Sequence, residues 1–223
     1  MDTVGKMSRY VKEHQMDVKV IGIPKTIDND LVVTDHTPGF GSAARYVAAS
    51  VLEMAHDTYI YNTKSVLIAE IMGRDAGYLA LWCGIANGAE RILMPEEKDY
   101  NEEALISDIM ENKKRGKKNY IIINAEGVGD SINMAKRIEE ATGIETRATI
   151  LGHMQRGGSP TCKDRVYAST MGAMAVELLC SGKTNRVVGY KNGRFVDYDI
   201  EEALSMKKEI PAHQYEIAKV LAI

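Results

Sequence analysis

Three short runs constrain this chain more than anything else in it. They are Val18-Lys19-Val20-Ile21-Gly22-Ile23, Ser65-Val66-Leu67-Ile68-Ala69-Glu70-Ile71 and Tyr120-Ile121-Ile122-Ile123-Asn124. Each is rich in Val and Ile, too short for a stable helix, and apolar on both faces of a would-be strand. Strands of that kind belong to parallel sheets covered by helices on either side. The intervening sequence is helical in pattern. Ser42 to Asp57 places Ala44, Val47, Val51 and Ala55 one turn apart, with Ser42 as the expected N-cap. Asn101 caps a second helix whose first turn holds Glu102 and Glu103, favourable at the positive end of the dipole. A third runs from about Asp164 to Leu179, with Gly182 placed to end it. Towards the C-terminus, Arg186 to Tyr190 and Arg194 to Val196 flank Lys191-Asn192-Gly193, a hairpin signal. Alternating strands and helices predict an α/β fold with a largely parallel sheet.

Charge narrows the partners. Of the 223 residues, 28 are basic and 31 acidic, a net charge of −3, so the chain has no general attraction for nucleic acid or anionic membrane. Any anion site must be local. No apolar run approaches the roughly 18 residues of a membrane span, and Met1 to Gly5 carries no signal-peptide pattern. Cys83, Cys162 and Cys180 are widely spaced and lack His at metal-site spacings, the usage of a reduced, cytoplasmic protein.

Open α/β sheets bind ligands beyond the carboxyl ends of their strands, and here each run is followed by polar groups. Pro24-Lys25-Thr26-Ile27-Asp28-Asn29-Asp30 follows the first, Met72-Gly73-Arg74-Asp75-Ala76-Gly77 the second, and Ala125-Glu126-Gly127 the third. A fourth cluster, Arg147 to Gly158, holds Arg147, His153 and Arg156. Two carboxylates on a turn, Asp28 and Asp30, can divide phosphoryl-transfer work: one takes a proton from an attacking hydroxyl and the other steadies Mg2+. Asp-Asn-Asp is also ordinary turn composition, and taken alone reads as a turn. Arg147, His153 and Arg156 suit a phosphate, because guanidinium forks match phosphate oxygens, though such a set is equally common as solvated charge. The residues by themselves lead to a phosphate-ester-binding α/β protein.

Taken in order, Pro24 to Asp30, Met72-Gly73-Arg74, Glu126-Gly127, Arg147 to Gly158 and Asp164-Arg165 resemble the phosphofructokinase family over nearly the whole chain. The resemblance implies two similar three-layer α/β/α domains with largely parallel sheets, the first domain incomplete. Residues 1–41 and 156–208 would form the remainder of the phosphoryl-donor domain, and residues 42–155 and 209–223 the fructose 6-phosphate domain. It further implies transfer of phosphate to the 1-hydroxyl of fructose 6-phosphate. Asp28 would be the general base, Thr26 would line the same pocket, and Asp30 would act on Mg2+. Arg74 would stabilise the phosphoryl group in flight. Met72, Gly73 and Glu126 would hold the sugar, and His153 and Arg156 its 6-phosphate. Arg147 would cross into a neighbouring site of a homodimer or homotetramer, with Lys64 substituting for a second crossing Arg.

Lys25 and the stretch Thr34 to Ala43 resemble the pyrophosphate-using branch, so pyrophosphate is the expected donor and Lys25 its partner. An ATP-dependent 6-phosphofructokinase is the alternative, and a non-catalytic sugar-phosphate-binding subunit a remoter one. The family's glycine-rich donor-site segments would precede Met1; the 223 residues are accordingly expected to be a fragment that transfers phosphate poorly by itself.

Overall fold

The computed structural model describes residues 2–60 and 65–221. By internal contacts the chain divides into two units, Met1–Ser42 with Ser159–Glu209, and Ala43–Gly158 with Ile210–Ile223.

The first unit contains α1 (Asp2–Glu13) and β1 (Ile21–Gly22). The helix α2 (Phe40–Ile60) begins here and continues into the second unit. In the second unit lie β2 (Ser65–Ile71), α3 (Tyr78–Asn87), β3 (Arg91–Leu93), α4 (Glu102–Lys114), β4 (Asn119–Ala125), α5 (Ser131–Thr142) and β5 (Glu145–Ile150). A 3-10 turn, Gly152–Arg156, follows β5. The chain then returns to the first unit as α6 (Cys162–Cys180), β6 (Arg186–Lys191), β7 (Arg194–Asp199) and α7 (Ile200–Ser205), before α8 (Ala212–Leu221) joins the second.

The second unit is built on a four-stranded, all-parallel sheet in the order β3-β4-β2-β5. Strand residues alternate between faces. Val66, Ile68, Tyr120 and Ile122 pack with Leu105 and Ile109 of α4 and Met134 and Ile138 of α5. On the opposite face Ile123 approaches Gly84 of α3, where an added Cβ would lie 3.6 Å from its side chain and 2.4 Å from Ile92. Helix α2 backs α3, and the Cys83 thiol reaches the Ala44 carbonyl. That gives three layers.

The first unit repeats the plan on a mixed sheet, β1-β6-β7, with β6 parallel to β1 and antiparallel to β7. Val187 faces Val20, Val33, Ile200 and Ala203, with Val4 and Val11 of α1 against them. Val188 faces Met171, Ala175 and Leu178 of α6. Asn192 and Gly193, both at positive φ (50° and 79°), close the expected hairpin.

Two expectations needed correction. Val18 to Ile23 forms strand only at Ile21–Gly22, because β1 is the sheet edge and only those residues meet β6. Ser42 does not cap α2; it lies inside the first turn, and its hydroxyl donates to Asp164. Asp164 also accepts from the Ser42 N–H (2.8 Å), so a side chain from α6 satisfies the start of α2. Thr161 caps α6 and its own N–H donates to the Ser42 hydroxyl. The third partner is His36, whose Nε2 donates to Asp164 at 2.8 Å and whose ring meets Phe40 and Tyr167 edge-on.

This polar knot is buried, with Asp164 only 3% exposed. Burial pushes the His36 pKa below its ordinary 6.5, against the opposing bond to Asp164. For Asp164, burial pulls upward, but the bonds from Ser42, His36 and the Gly39 and Ser42 backbone win and set it below 3.8. Both folded-state values lie below the unfolded ones, so the folded chain binds fewer protons and stability falls as pH drops. The His36 contribution is intact above 6.5 and is lost below it; that of Asp164 is lost only below 3.8. Urea unfolding of the chain should therefore show falling stability from pH 7 to pH 5, by up to about 1.4 kcal/mol per pH unit. His36→Gln should flatten that slope, and an equally steep slope in the variant would remove His36 as its source.

Candidate functional site

The groups expected to bind a phosphosugar follow β2, β4 and β5, three adjacent strands of one parallel sheet. The loop after β2 carries Met72, Gly73 and Arg74, and that after β4 carries Glu126 and Gly127. These two loops are bonded together. The Glu126 Oε1 accepts from the Gly73 N–H (3.0 Å) and the Arg74 N–H (2.6 Å). Its own N–H continues the ladder to the Ile71 carbonyl (2.8 Å).

Two glycines make this possible by their lack of a Cβ. At Gly127 a Cβ would stand 2.3 Å from the Arg74 carbonyl oxygen, and at Gly73 2.3 Å from that of Ala76. Arg74 itself sits at φ 55°, left-handed backbone that a non-glycine residue adopts at a cost of about 1 kcal/mol or more. The bond from its N–H to the carboxylate offsets that cost. Met72 is buried, Glu126 half-buried and Arg74 exposed, so the guanidinium faces solvent from a rigid base.

His153 and Arg156 are exposed on the 3-10 turn after β5, with Gln155 buried between them. The Gln155 Oε1 accepts from the Met72 N–H at 3.1 Å. Arg147 is not part of this turn. It lies within β5, opposite Leu67 of β2, with its side chain exposed and its Nε donating to Glu145 at 2.8 Å. The basic cluster seen in the sequence is thus divided between a strand and a turn. Lys64 lies outside the described residues.

Lys25, Thr26, Asp28 and Asp30 belong to the first unit, and the structure describes their loop by itself. Thr26 forms a parallel bridge with Gly39, and its Oγ1 accepts from the Asp28 N–H (3.1 Å). Between the two aspartates Asn29 takes left-handed backbone, φ 55°. Its side chain donates to the Asp35 carbonyl and accepts from the Thr37 N–H (2.9 Å) and hydroxyl. Lys208 completes the frame by donating to the carbonyls of Asn29, Leu31 and Thr34. Burial pushes its pKa down to about 8. Asp28 is half-buried, while Lys25 and Asp30 are exposed.

Sequence reading missed Asn29, Lys208 and Gln155 as structural supports. Only the first carried a signal, since Asn tolerates left-handed backbone better than most residues. Among the described residues no three His, Cys, Asp or Glu side chains form a metal cage. Mg2+ at phosphoryl-transfer sites is held by one or two carboxylates plus substrate phosphates, and the exposed Asp30 is a donor of that kind.

A carboxylate, a guanidinium and a basic turn thus follow three adjacent parallel strands of one α/β sheet. The model of the phosphofructokinase family matches residues 2–179, and the chain belongs to that family. Over 208 residues, 93% of the chain, it is 47% identical to an ATP-dependent 6-phosphofructokinase of Clostridium botulinum and 50% identical to one of Clostridium novyi. The chain spans 64% of the length of each of these relatives. Its fold is similar to the pyrophosphate-dependent phosphofructokinase of Marinobacter aquaeolei (TM-score 0.85, 26% identity, 100% of this chain and 64% of that one). It also matches the phosphofructokinase of Saccharomyces cerevisiae (TM-score 0.85, 20% identity, 98% and 33%).

These findings overturn the expected donor. Relatives about half identical over nearly the whole chain carry the ATP-dependent name, whereas the pyrophosphate-dependent neighbour shares 26%. The physical reason is that an exposed ammonium such as Lys25 does not discriminate between donors, since pyrophosphate and the end of a nucleoside triphosphate carry the same phosphate oxygens.

The joint between the loops gives a direct test. Gly127→Ala should destabilise the chain by about 1–3 kcal/mol through overpacking. Glu126→Ala should cost about 1–3 kcal/mol by leaving the buried Gly73 N–H unpaired, the exposed Arg74 N–H being taken up by water. Urea denaturation at pH 7 measures both, and losses within about 0.5 kcal/mol, the level of an ordinary surface change, would contradict the bonded arrangement.

Proposed function

We propose that the whole protein transfers a phosphoryl group from ATP to the 1-hydroxyl of fructose 6-phosphate, and that this chain supplies the sugar-binding and base-bearing residues. The observation that carries the reading is the Glu126 carboxylate bonded to the Gly73 and Arg74 backbone, with His153 and Arg156 on the next strand's turn. A carboxylate beside a guanidinium recognises a sugar hydroxyl and a phosphoryl oxygen together. One Glu126 oxygen is engaged by backbone, and the other accepts from a sugar hydroxyl. His153 and Arg156 take the 6-phosphate. Arg147, in a surface pair with Glu145, swings to the site of a second copy.

Asp28 acts as general base on the 1-hydroxyl, its backbone pinned by Thr26. Arg74 opposes the charge that builds on the phosphoryl oxygens. Asp30 would hold Mg2+, which neutralises the donor phosphates when bound. The donor rests on the relatives named ATP-dependent.

A coupled assay on the whole protein, with ATP and Mg2+, tests this. Asp28→Asn should lower kcat by about 10²–10⁴-fold, the usual worth of a general base, while leaving KM for fructose 6-phosphate little changed. Retained turnover would dismiss Asp28 as the base. Turnover with pyrophosphate and none with ATP would dismiss the donor.

A further inference from the structure

Gln155 is 1% exposed, yet Met154 beside it is 67% exposed and Arg156 is also turned to solvent. A polar side chain driven inward from an otherwise exposed turn calls for partners at both ends. It has them. Its Oε1 accepts from the Met72 N–H at 3.1 Å and its Nε2 donates to the Gly152 carbonyl at 3.0 Å. One partner can only donate and the other only accept, so the amide orientation is determined.

Just ahead of the turn, the Leu151 N–H donates to the Glu70 carbonyl of β2 (3.2 Å). Gln155 closes the far end against Met72, the residue before Gly73 and Arg74, which Glu126 holds in turn. The bonds run Gly152, Gln155, Met72, and through the chain to the Glu126-bound loop. No other side chain of similar size keeps both links: Glu loses the donation to Gly152, Met loses both, and Asn is one methylene too short to span them.

We propose that Gln155 is a positioning residue that locks the turn bearing His153 and Arg156 to the Met72–Arg74 loop, setting the span between the groups that grip the sugar's phosphate and the guanidinium at its reacting end. This rests on the fructose 6-phosphate reading above. Gln155 itself touches no reacting atom; it acts through Arg156 and His153.

Gln155→Met preserves length and removes both bonds. Since a misplacement near 1 Å can cost about 10²-fold, it should raise KM for fructose 6-phosphate by about 10–100-fold, with kcat changed less than about threefold and KM for ATP unaltered. Gln155→Glu, which keeps the Met72 bond, should fall between it and the parent; if Gln155→Met does not fold, Gln155→Glu carries the same comparison. Because the effect passes through Arg156, adding Gln155→Met to Arg156→Ala should raise KM less than the two separate changes combined. An unchanged KM for fructose 6-phosphate, a parallel rise in KM for ATP, or full additivity with Arg156→Ala would each overturn the proposal. If Arg156→Ala alone leaves KM for fructose 6-phosphate unchanged, the sugar-phosphate reading fails, whatever Gln155 does.

Discussion

One carboxylate joins the loops at the carboxyl edge of the second unit's sheet. Glu126 receives the N–H groups of Gly73 and Arg74, and so joins the loop after β4 to the loop after β2. The two loops approach that closely because Gly127 has no side chain to meet the Arg74 carbonyl, while Gly73 lets its own loop turn back on Ala76. The bond also sustains Arg74 in left-handed backbone. Electrostatic stabilisation by any charged group depends on its being already in place when charge develops. Here the positioning is done by the main chain beneath the side chain.

The loop of the first unit obeys the same logic with different means. It buries Ile27 and Val33, and hydrogen bonds to its backbone hold the polar residues between them. Asn29 and Thr37 cross-link it internally, and Lys208 gathers three of its carbonyls. At its far end His36, Asp164 and Ser42 tie the start of α2 to α6. Buried polar groups of this kind rigidify when all are satisfied.

Much of this was legible beforehand. The runs at Ser65–Ile71 and Tyr120–Asn124 became central parallel strands because an apolar run of strand length has no other way to bury both faces. The Asn101 cap and the Asn192-Gly193 turn read directly, since each is a local interaction that a few neighbouring residues decide. β5 escaped notice: Glu145 to Ile150 is polar at alternate positions, as suits a sheet edge, and its basic residue drew attention to charge instead of strand. The donor was misjudged for a related reason. A single lysine suits any phosphate and is silent on what the phosphate is attached to.

Sequence alone determined the α/β class and the order of the motifs, because those follow from periodicity and from chemistry carried by single side chains. Tertiary structure decided how the motifs are held. That Glu126 spends one oxygen on backbone, that Gln155 is buried between exposed neighbours, and that Lys208 braces residues 29–34 from far along the chain are contacts between distant segments. No local pattern encodes them, since a hydrogen bond across 52 or 83 positions exists only once the sheet has brought its strands side by side.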